Sequence, residues 1–178
     1  MRPEKIMDII NYYGKDLCSW TIYTGYDIPQ KKLDNAMRTF GDPGSQVFGL
    51  LDATVFGSAK EGILFTDRGI DYNYIGERGH IGYNEIREIF PTPDDHTIIR
   101  TSRGDHELGI NFNTQALSGM LSDLSGNGIR VGMVAPPPPH RQPEPPRRHE
   151  PEPPRHPKGR PDEHHGPEGR HGGFFGHR

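Results

Sequence analysis

The sequence has a single cysteine, Cys18, among its 178 residues. One cysteine excludes a disulfide within the chain and a metal cluster held by several thiolates of one chain. This scarcity is typical of proteins from reducing compartments, so we expect a cytoplasmic protein. Cys18 lies in the stretch Leu17-Cys18-Ser19-Trp20, and we interpret it as a small buried apolar residue rather than a nucleophile.

Long apolar runs are also absent. Residues 1–6 lack the apolar stretch of about 7–15 residues that marks a secretory signal, and no window approaches the roughly 20 apolar residues that span a bilayer. These absences favour a soluble chain in the cytoplasm. Peripheral contact with a membrane stays open, because it needs only a basic or amphipathic surface.

Positive charge is neither abundant nor clustered. The chain carries a formal net charge of -3, and residues 1–134 hold 13 Lys or Arg against 18 Asp or Glu. We expect no nucleic-acid partner, because phosphate backbones are bound by clustered cations. A catalytic constellation is missing from the sequence as well. We therefore predict a protein that is not an enzyme and that uses no cofactor.

What the sequence does hold is a sharp change of composition near Ala135. Of its 18 prolines, 13 lie beyond this point, as do seven of its 10 histidines. Only Ala135, Phe174 and Phe175 are hydrophobic there, too few to offset the entropy of folding. We predict a disordered tail rich in Pro, His and Arg over residues 135–178. The part before it is long enough for one core of its own.

The tail has two candidate roles. Proline-rich segments such as 136–139 favour the extended polyproline II conformation, which serves as a spacer or docks onto a partner protein. The other role is metal binding, because neutral imidazoles on a flexible chain chelate nickel, zinc or copper. The candidate metal ligands are His164, His165, His171 and His177.

Apolar residues recur at helical spacing in three segments of the folded part. They are Ile6 to Tyr13 between Pro3 and Gly14, Leu33 to Phe40 between Pro29 and Gly41, and Leu117 to Leu124 between Asn113 or Thr114 and Gly126. Proline in the first turn, a polar N-cap and a glycine after the last turn are helix start and stop signals. Each segment therefore predicts an amphipathic helix.

Between the second and third helices, apolar and polar residues alternate within short runs bounded by turn residues, which is typical of antiparallel strands. We predict strands at 47–55, 62–67, 70–75, 80–84, 86–91, 96–102 and 106–112. The sequence thus predicts an α+β fold, a seven-strand antiparallel meander followed by a C-terminal amphipathic helix. A short N-terminal helical region over 1–45 packs on this main domain, and residues 127–134 form a linker or a short extra strand.

Two stretches carry a resemblance to a known family. They are Gly62–Tyr72 (GILFTDRGIDY) and Ile81–Ile86 (IGYNEI). Their rhythm resembles that of bacterial pleckstrin-homology-like (PH-like) and GRAM-like domains. The resemblance implies a PH-like domain over residues 46–126, in which a bent antiparallel sheet forms a barrel and a C-terminal helix plugs one end.

The resemblance also implies a function. PH domains that hold phosphoinositides carry several Lys and Arg around the first inter-strand loop. Here the loop 56–62 offers Lys60, and Arg68 and Arg78 are the cations that could join it, so these three are the candidate ligand-binding residues. We predict a binding or adaptor module that recognises a partner protein or a membrane-surface group, with the tail as spacer or docking segment. Metal binding by the tail is the alternative.

Other titratable residues are interpreted as surface groups. His80, His96 and His106 each lie beside a predicted turn or strand start, where imidazoles are usually solvated. Asp67 and Asp71 have the spacing of a carboxylate pair, but we expect both on the solvated outer face of a hairpin.

Overall fold

The computed structural model describes residues 1–133, and the tail predicted over 135–178 lies outside them. Within residues 1–133 the chain forms three α-helices, two single 3-10 turns and nine strands. In chain order these are α1 (Pro3–Leu17), β1 (Thr21–Thr24), a 3-10 turn (Gly25–Asp27), α2 (Gln30–Thr39), β2 (Val47–Asp52), β3 (Gly62–Thr66), β4 (Gly69–Tyr74), β5 (Glu77–Gly82), a 3-10 turn (Tyr83–Glu85), β6 (Ile86–Pro91), β7 (Thr97–Thr101), β8 (Asp105–Leu108), α3 (Thr114–Ser125) and β9 (Arg130–Val131).

The strands of residues 1–133 form two sheets. The first is antiparallel in the order β1-β2-β3-β4-β5, and the second has the order β8-β7-β6-β9, in which β9 runs parallel to β6. The predicted α+β class is confirmed, and each of the seven predicted strands has a counterpart among β2–β8. The predicted single meander that closes into a barrel is wrong for these residues, because β5 and β6 do not pair.

A single 3-10 turn separates the two sheets. Between β5 and β6 the chain winds through Tyr83–Glu85. The Tyr83 side chain is buried in the core, where its hydroxyl donates to the Thr66 carbonyl at 3.1 Å, and burial raises the pKa of this hydroxyl. The turn directs the chain away from the edge of β5, so the meander breaks where this aromatic side chain enters the core.

The first sheet is buried on both faces. On its inner face, Ile63 and Phe65 of β3 pack with α1, α3 and the second sheet in the main core. On its outer face, Leu50 and Leu64 pack with Ala36 of α2 in a smaller apolar cluster. Full burial of a large apolar side chain contributes roughly 1.5–3 kcal/mol. β2 and β3 therefore form the centre of the fold.

Residues 1–45 contribute more than the predicted helices, because they also supply β1, which pairs antiparallel with β2. α1 runs past the predicted stop at Gly14 and ends at Leu17. The Leu17 side chain is fully buried, and its carbonyl accepts from the Asn113 amide at 2.8 Å. Core packing at Leu17 thus overrides the local stop signal.

α3 matches its predicted start and stop signals. The Asn113 side chain accepts hydrogen bonds from the amides of Gln115 and Ala116, and Gly126, which has a φ of 71°, caps the C-terminal end after Ser125. One face of α3 packs in the main core, so the predicted amphipathic helix is confirmed. After α3, Arg130 and Val131 form the short strand β9.

Gly62, at the start of β3, occupies a backbone position where a side chain does not fit. Its φ is +143°, and a Cβ built there would lie 1.9 Å from the carbonyl oxygen of Leu51. Gly62→Ala should therefore lower the free energy of unfolding by about 3 kcal/mol, measured by urea denaturation, since both the left-handed backbone and the overlap are costly.

Gly104→Ala is the matched control. Gly104 has nearly the same φ, +145°, but open space where a Cβ would lie. The control should lose about 1 kcal/mol, the cost of the backbone conformation alone. Equal losses for the two variants would contradict the overlap with Leu51.

Candidate functional site

Two connections leave the same end of the first sheet. The loop 53–61 joins β2 to β3, and the turn Ile75-Gly76 joins β4 to β5. Both carry exposed apolar side chains: Val55 is 82% exposed, Phe56 96% and Ile75 71%. We call these three residues the apolar loop tips. Because neighbouring strands lie about 4.8 Å apart, β2 and β4 are about 10 Å apart, so one partner can contact both connections.

Asp52, the last residue of β2, fixes the loop that follows it. Its side chain is nearly buried. One carboxylate oxygen accepts from the amide and the hydroxyl of Thr54 at 3.0 and 2.5 Å, and from the Ala59 amide at 3.2 Å. The other oxygen accepts from the Lys32 ammonium of α2 at 2.5 Å. We call this arrangement the Asp52–Lys32 clasp.

Both members of the clasp are charged at neutral pH. Burial alone would raise the pKa of Asp52, but hydrogen bonds from Lys32 and Thr54 outweigh it and hold this pKa below its usual value. The same hydrogen bond from Lys32 raises the pKa of the ammonium. Because the Asp52 side chain is only 3% exposed, water and salt screen the pair less than they screen a surface ion pair.

Further hydrogen bonds tie the loop to α2. The Lys32 ammonium also donates to the Gly57 carbonyl at 2.5 Å, and the Asn35 side chain donates to the Ser58 carbonyl at 2.9 Å. Gly57 and Ser58, which accept these hydrogen bonds, follow Val55 and Phe56 in the loop. Asp52 and its hydrogen bonds fix the residues before them. The apolar side chains are therefore exposed on a backbone with many fixed contacts.

The turn between β4 and β5 is strained. Tyr74 pairs with Glu77, so Ile75 and Gly76 form a two-residue turn with φ values of +49° and +81°. Asparagine, aspartate or glycine normally occupies the first position of such a turn. A β-branched residue there costs about 1–2 kcal/mol, and the exposed Ile75 side chain gains little burial in return. Strain without a packing gain is typical of functional positions.

Two of the three predicted ligand-binding residues lie at this end of the sheet. Lys60 is in the β2–β3 loop, and its carbonyl accepts from the Asn73 side chain at 2.7 Å. Arg78 of β5 lies opposite Asn73 in the strand register. Arg68 lies instead in the turn between β3 and β4, at the other end of the sheet, and pairs with Asp42 at 3.2 Å. The three residues do not converge, and ligand binding by them stays a prediction.

The three histidines of residues 1–133 have specific partners. Each partner atom lies within 3.1 Å of the Nδ1 atom of the imidazole. The partners are Asp71 for His80, Glu107 for His96 and the Tyr72 hydroxyl for His106. Solvation alone therefore does not describe these histidines, because each also has a side-chain partner, and only the pair of Asp71 and His80 is a cross-strand one.

Asp71 departs furthest from its expected place on a solvated surface. It is 2% exposed, whereas Asp67 stays exposed in the β3–β4 turn and accepts from the Gln46 amide at 2.9 Å. Asp71 does lie on the outer face of its hairpin, but the chain that follows α2 covers this face and donates the Asp42 amide to it at 3.2 Å. The carboxylates of Asp67 and Asp71 thus have different environments.

Cys18 is half-buried, and burial raises the pKa of its thiol, as expected for an apolar position. Within residues 1–133, no group of three or more His, Cys, Asp or Glu is placed to hold a metal ion. The candidate metal ligands His164, His165, His171 and His177 lie outside the described residues.

No protein-family model and no curated protein matches the chain. In the part of the chain that the structure describes, every helix is too short or too polar to cross a membrane. The surfaces and contacts of residues 1–133 are therefore what indicates a function.

The sequence did not predict Val55 and Ile75 as loop residues, because the predicted strands 47–55 and 70–75 include them, whereas β2 ends at Asp52 and β4 at Tyr74. A local signal was present. Asp52 and Thr54 are residues whose side chains accept hydrogen bonds from nearby amides in turns, and Gly57 follows within the same loop. This combination is more typical of a structured loop than of a continuing strand.

Lys32→Met tests the clasp, because it leaves Asp52 buried without a counter-charge. We expect the free energy of unfolding at pH 7 to fall by about 2 kcal/mol, less than the roughly 3–5 kcal/mol for a fully buried pair, since Lys32 is partly exposed. Lys31→Met, at the exposed neighbouring residue, is the control and should change it by less than about 0.5 kcal/mol.

The effect of Lys32→Met depends on pH. Because the pKa of Asp52 is lowered in the folded state, the clasp stabilises the fold above the unfolded-state pKa, and this contribution is lost as the pH falls through the folded-state value. Urea denaturation should therefore show the difference between wild type and Lys32→Met shrinking as the pH falls below about 3.9, the usual pKa of an aspartate. A difference that is constant with pH would contradict the ionic role of Lys32.

Proposed function

We propose that this chain is a binding or adaptor module rather than an enzyme, and that it recognises a partner protein through the apolar loop tips. The observation that carries the proposal is the exposure of Val55, Phe56 and Ile75 at one end of the first sheet. A few large side chains that enter pockets of a partner supply most of the binding energy of a typical interface. A loop already fixed by the clasp loses little entropy on binding.

We also propose that residues 46–126 form a PH-like domain of the pleckstrin or GRAM kind. Seven strands, β2–β8, followed by the single helix α3 are what supports this relationship. β1 extends the first sheet beyond that unit. The β2–β3 loop, with two of the apolar loop tips, would then be the first inter-strand loop of the domain.

Charge favours a protein partner over a membrane. Residues 1–134 hold 13 Lys or Arg against 18 Asp or Glu. Near the apolar loop tips, Lys60 and Arg78 are each next to an acidic residue, Glu61 and Glu77. An anionic membrane attracts a surface through excess Lys and Arg, at about 1 kcal/mol each, and this end of the sheet has no such excess in its sequence.

The tail over 135–178 completes the proposal as a spacer or second docking segment. It lies outside the described residues, and its role rests on its proline-rich composition. Metal binding by its histidines remains the alternative prediction of the sequence.

Ile75→Asn separates binding from stability. Asparagine adopts the left-handed conformation of this turn more readily than isoleucine, so we expect the free energy of unfolding to rise by about 1 kcal/mol. The same change removes one of the apolar loop tips, so affinity for the partner should fall at least about tenfold, the loss of a moderate interface contact. A more stable variant that binds with wild-type affinity would show that Ile75 has no part in recognition.

The double variant Val55→Ser/Phe56→Ser tests the loop itself. Tyr26→Ser is its control. Tyr26 is also exposed, but it follows the C-terminal end of β1, which lies at the opposite end of the first sheet from the β2–β3 loop. Proteins retained from a cell extract by the immobilised full chain are purified and titrated against wild type and both variants. We expect a partner whose affinity is lost in the double variant and kept in Tyr26→Ser, with unchanged melting temperatures.

Two results would overturn this proposal. One is that every retained protein binds the double variant as tightly as it binds wild type. The other is that the chain sediments with phosphatidylcholine–phosphatidylserine vesicles and the double variant does not, which would assign the apolar loop tips to a membrane surface.

A further inference from the structure

The outer face of the first sheet changes from apolar to polar across its width. One cross-strand row begins with Tyr23, Leu50 and Leu64 on β1, β2 and β3. The row ends with Asp71 on β4 and His80 on β5. α2 packs on the apolar part, whereas Asp71 and His80 line an open groove of about 390 Å³ beyond the C-terminal end of α2.

Asp71 orients His80 at this groove. One oxygen of the carboxylate lies 2.6 Å from His80 Nδ1, and the other accepts from the Asp42 amide at 3.2 Å. A carboxylate that holds one ring nitrogen also fixes the direction of the other. The contacts within residues 1–133 leave Nε2 available, and the imidazole is 46% exposed.

Packing alone does not account for Asp71. A carboxylate that is 2% exposed is costly to desolvate, and an apolar residue of similar size is often neutral or stabilising in its place. Leu64, its neighbour in the row, is fully buried, so an apolar residue at position 71 would continue the cluster under α2. A polar pair at the open end of an apolar row points to a role in binding.

Two arginines line the same groove. Arg38 lies in the last turn of α2, and Arg78 lies two residues before His80 on the same face of β5. Neither has a carboxylate partner within residues 1–133, in contrast to Arg68, which pairs with Asp42, and to Arg100 in the second sheet. The groove thus has two guanidinium groups that form no ion pair with a carboxylate of residues 1–133.

We propose that this groove binds a phosphate group through Arg38, Arg78 and His80, with Asp71 as the positioning residue behind the imidazole. Each guanidinium can donate two parallel hydrogen bonds to phosphate oxygens, and His80 Nε2 can form a further hydrogen bond with the phosphate group. The residues that line the groove do not include any of the apolar loop tips. Of the three cations predicted from the sequence, Arg78 belongs to it.

Asp42, the other carboxylate of the groove, is satisfied by its own surroundings. It accepts from the Gly44 amide at 3.0 Å, the Ser45 hydroxyl at 3.1 Å and Arg68 at 3.2 Å. These contacts, led by the Gly44 amide, lower the pKa of Asp42. Arg68 offsets the negative charge of Asp42, so Asp42 does not neutralise the positive charge of Arg38 and Arg78.

The test is a titration of the full chain with inorganic phosphate, followed by amide chemical shifts in NMR spectra. We expect saturable shifts at Arg78, His80 and the C-terminal end of α2. Arg38→Gln and Arg78→Gln should each weaken binding at least about tenfold, as expected for the loss of a charge-assisted bidentate contact. Both side chains are exposed, so these variants should keep the wild-type melting temperature.

The controls remove one positive charge elsewhere: Lys31→Gln on α2 and Arg130→Gln on β9. Their affinity for phosphate should stay within about twofold of wild type, because surface charges at a distance are screened by salt. Absence of saturable shifts, or equal weakening in the controls and the groove variants, would overturn the proposal, since the second result describes a general charge effect.

Two further experiments test the role of Asp71 and the source of the phosphate. Asp71→Asn should weaken phosphate binding and alter the His80 imidazole resonances, whereas a purely structural Asp71 would leave the affinity of the folded variant unchanged. A soluble phosphate monoester is indicated if glycerol 3-phosphate competes with inorganic phosphate while vesicles do not bind. A lipid headgroup is indicated if vesicles with phosphatidic acid bind wild type, fail to bind Arg78→Gln, and are not bound when they hold phosphatidylcholine alone.

Discussion

β2 and β3 are buried on both of their faces. Other elements must cover each face, and this determines where those elements lie. The inner face needs α1, α3 and the second sheet, which together surround Phe65. The outer face needs α2, which lies over Leu50 and Leu64. A strand buried on two faces is apolar at nearly every position, as Gly62–Thr66 is, so its sequence lacks the polar alternation of an edge strand.

α2 is too short to cover the whole outer face, and both candidate surfaces follow from its length. Its 10 residues extend about 15 Å, whereas five strands span about 19 Å between the outermost two. Lys32 in its first turn anchors the β2–β3 loop, and Arg38 in its last turn lines the groove over β4 and β5. A single helix therefore supports a protein-binding loop and bounds an anion-binding groove.

Local signals in the sequence predicted most of the elements but few of the site contacts. Turn and cap residues such as Asn113 and Gly126 determine where α3 begins and ends, so this helix could be predicted from sequence. β1 could not, because its four residues gain their stability from pairing with β2. Alternation placed Asp71 on the outer face correctly, but it carries no information on what covers that face.

The break between the two sheets depends on a contact between residues distant in sequence. The conformation of the β2–β3 loop, which carries Val55 and Phe56, does so too. Tyr83 bonds the carbonyl of Thr66, and Asp52 bonds Lys32 on a helix 20 residues earlier in the chain. Neither pairing follows from spacing along the sequence. Ile75 is the exception, since an isoleucine before a glycine in a two-residue turn is unusual on local grounds alone.

The parallel strand β9 has a consequence for how the chain opens locally. It has only two residues, and Ile129 before it is held by the hydroxyls of Ser118 and Ser122 on α3. We therefore expect β9 to be the first strand to open in native-state fluctuations. Its opening would release the last described residues from the second sheet, while the core on both faces of β2 and β3 stays folded.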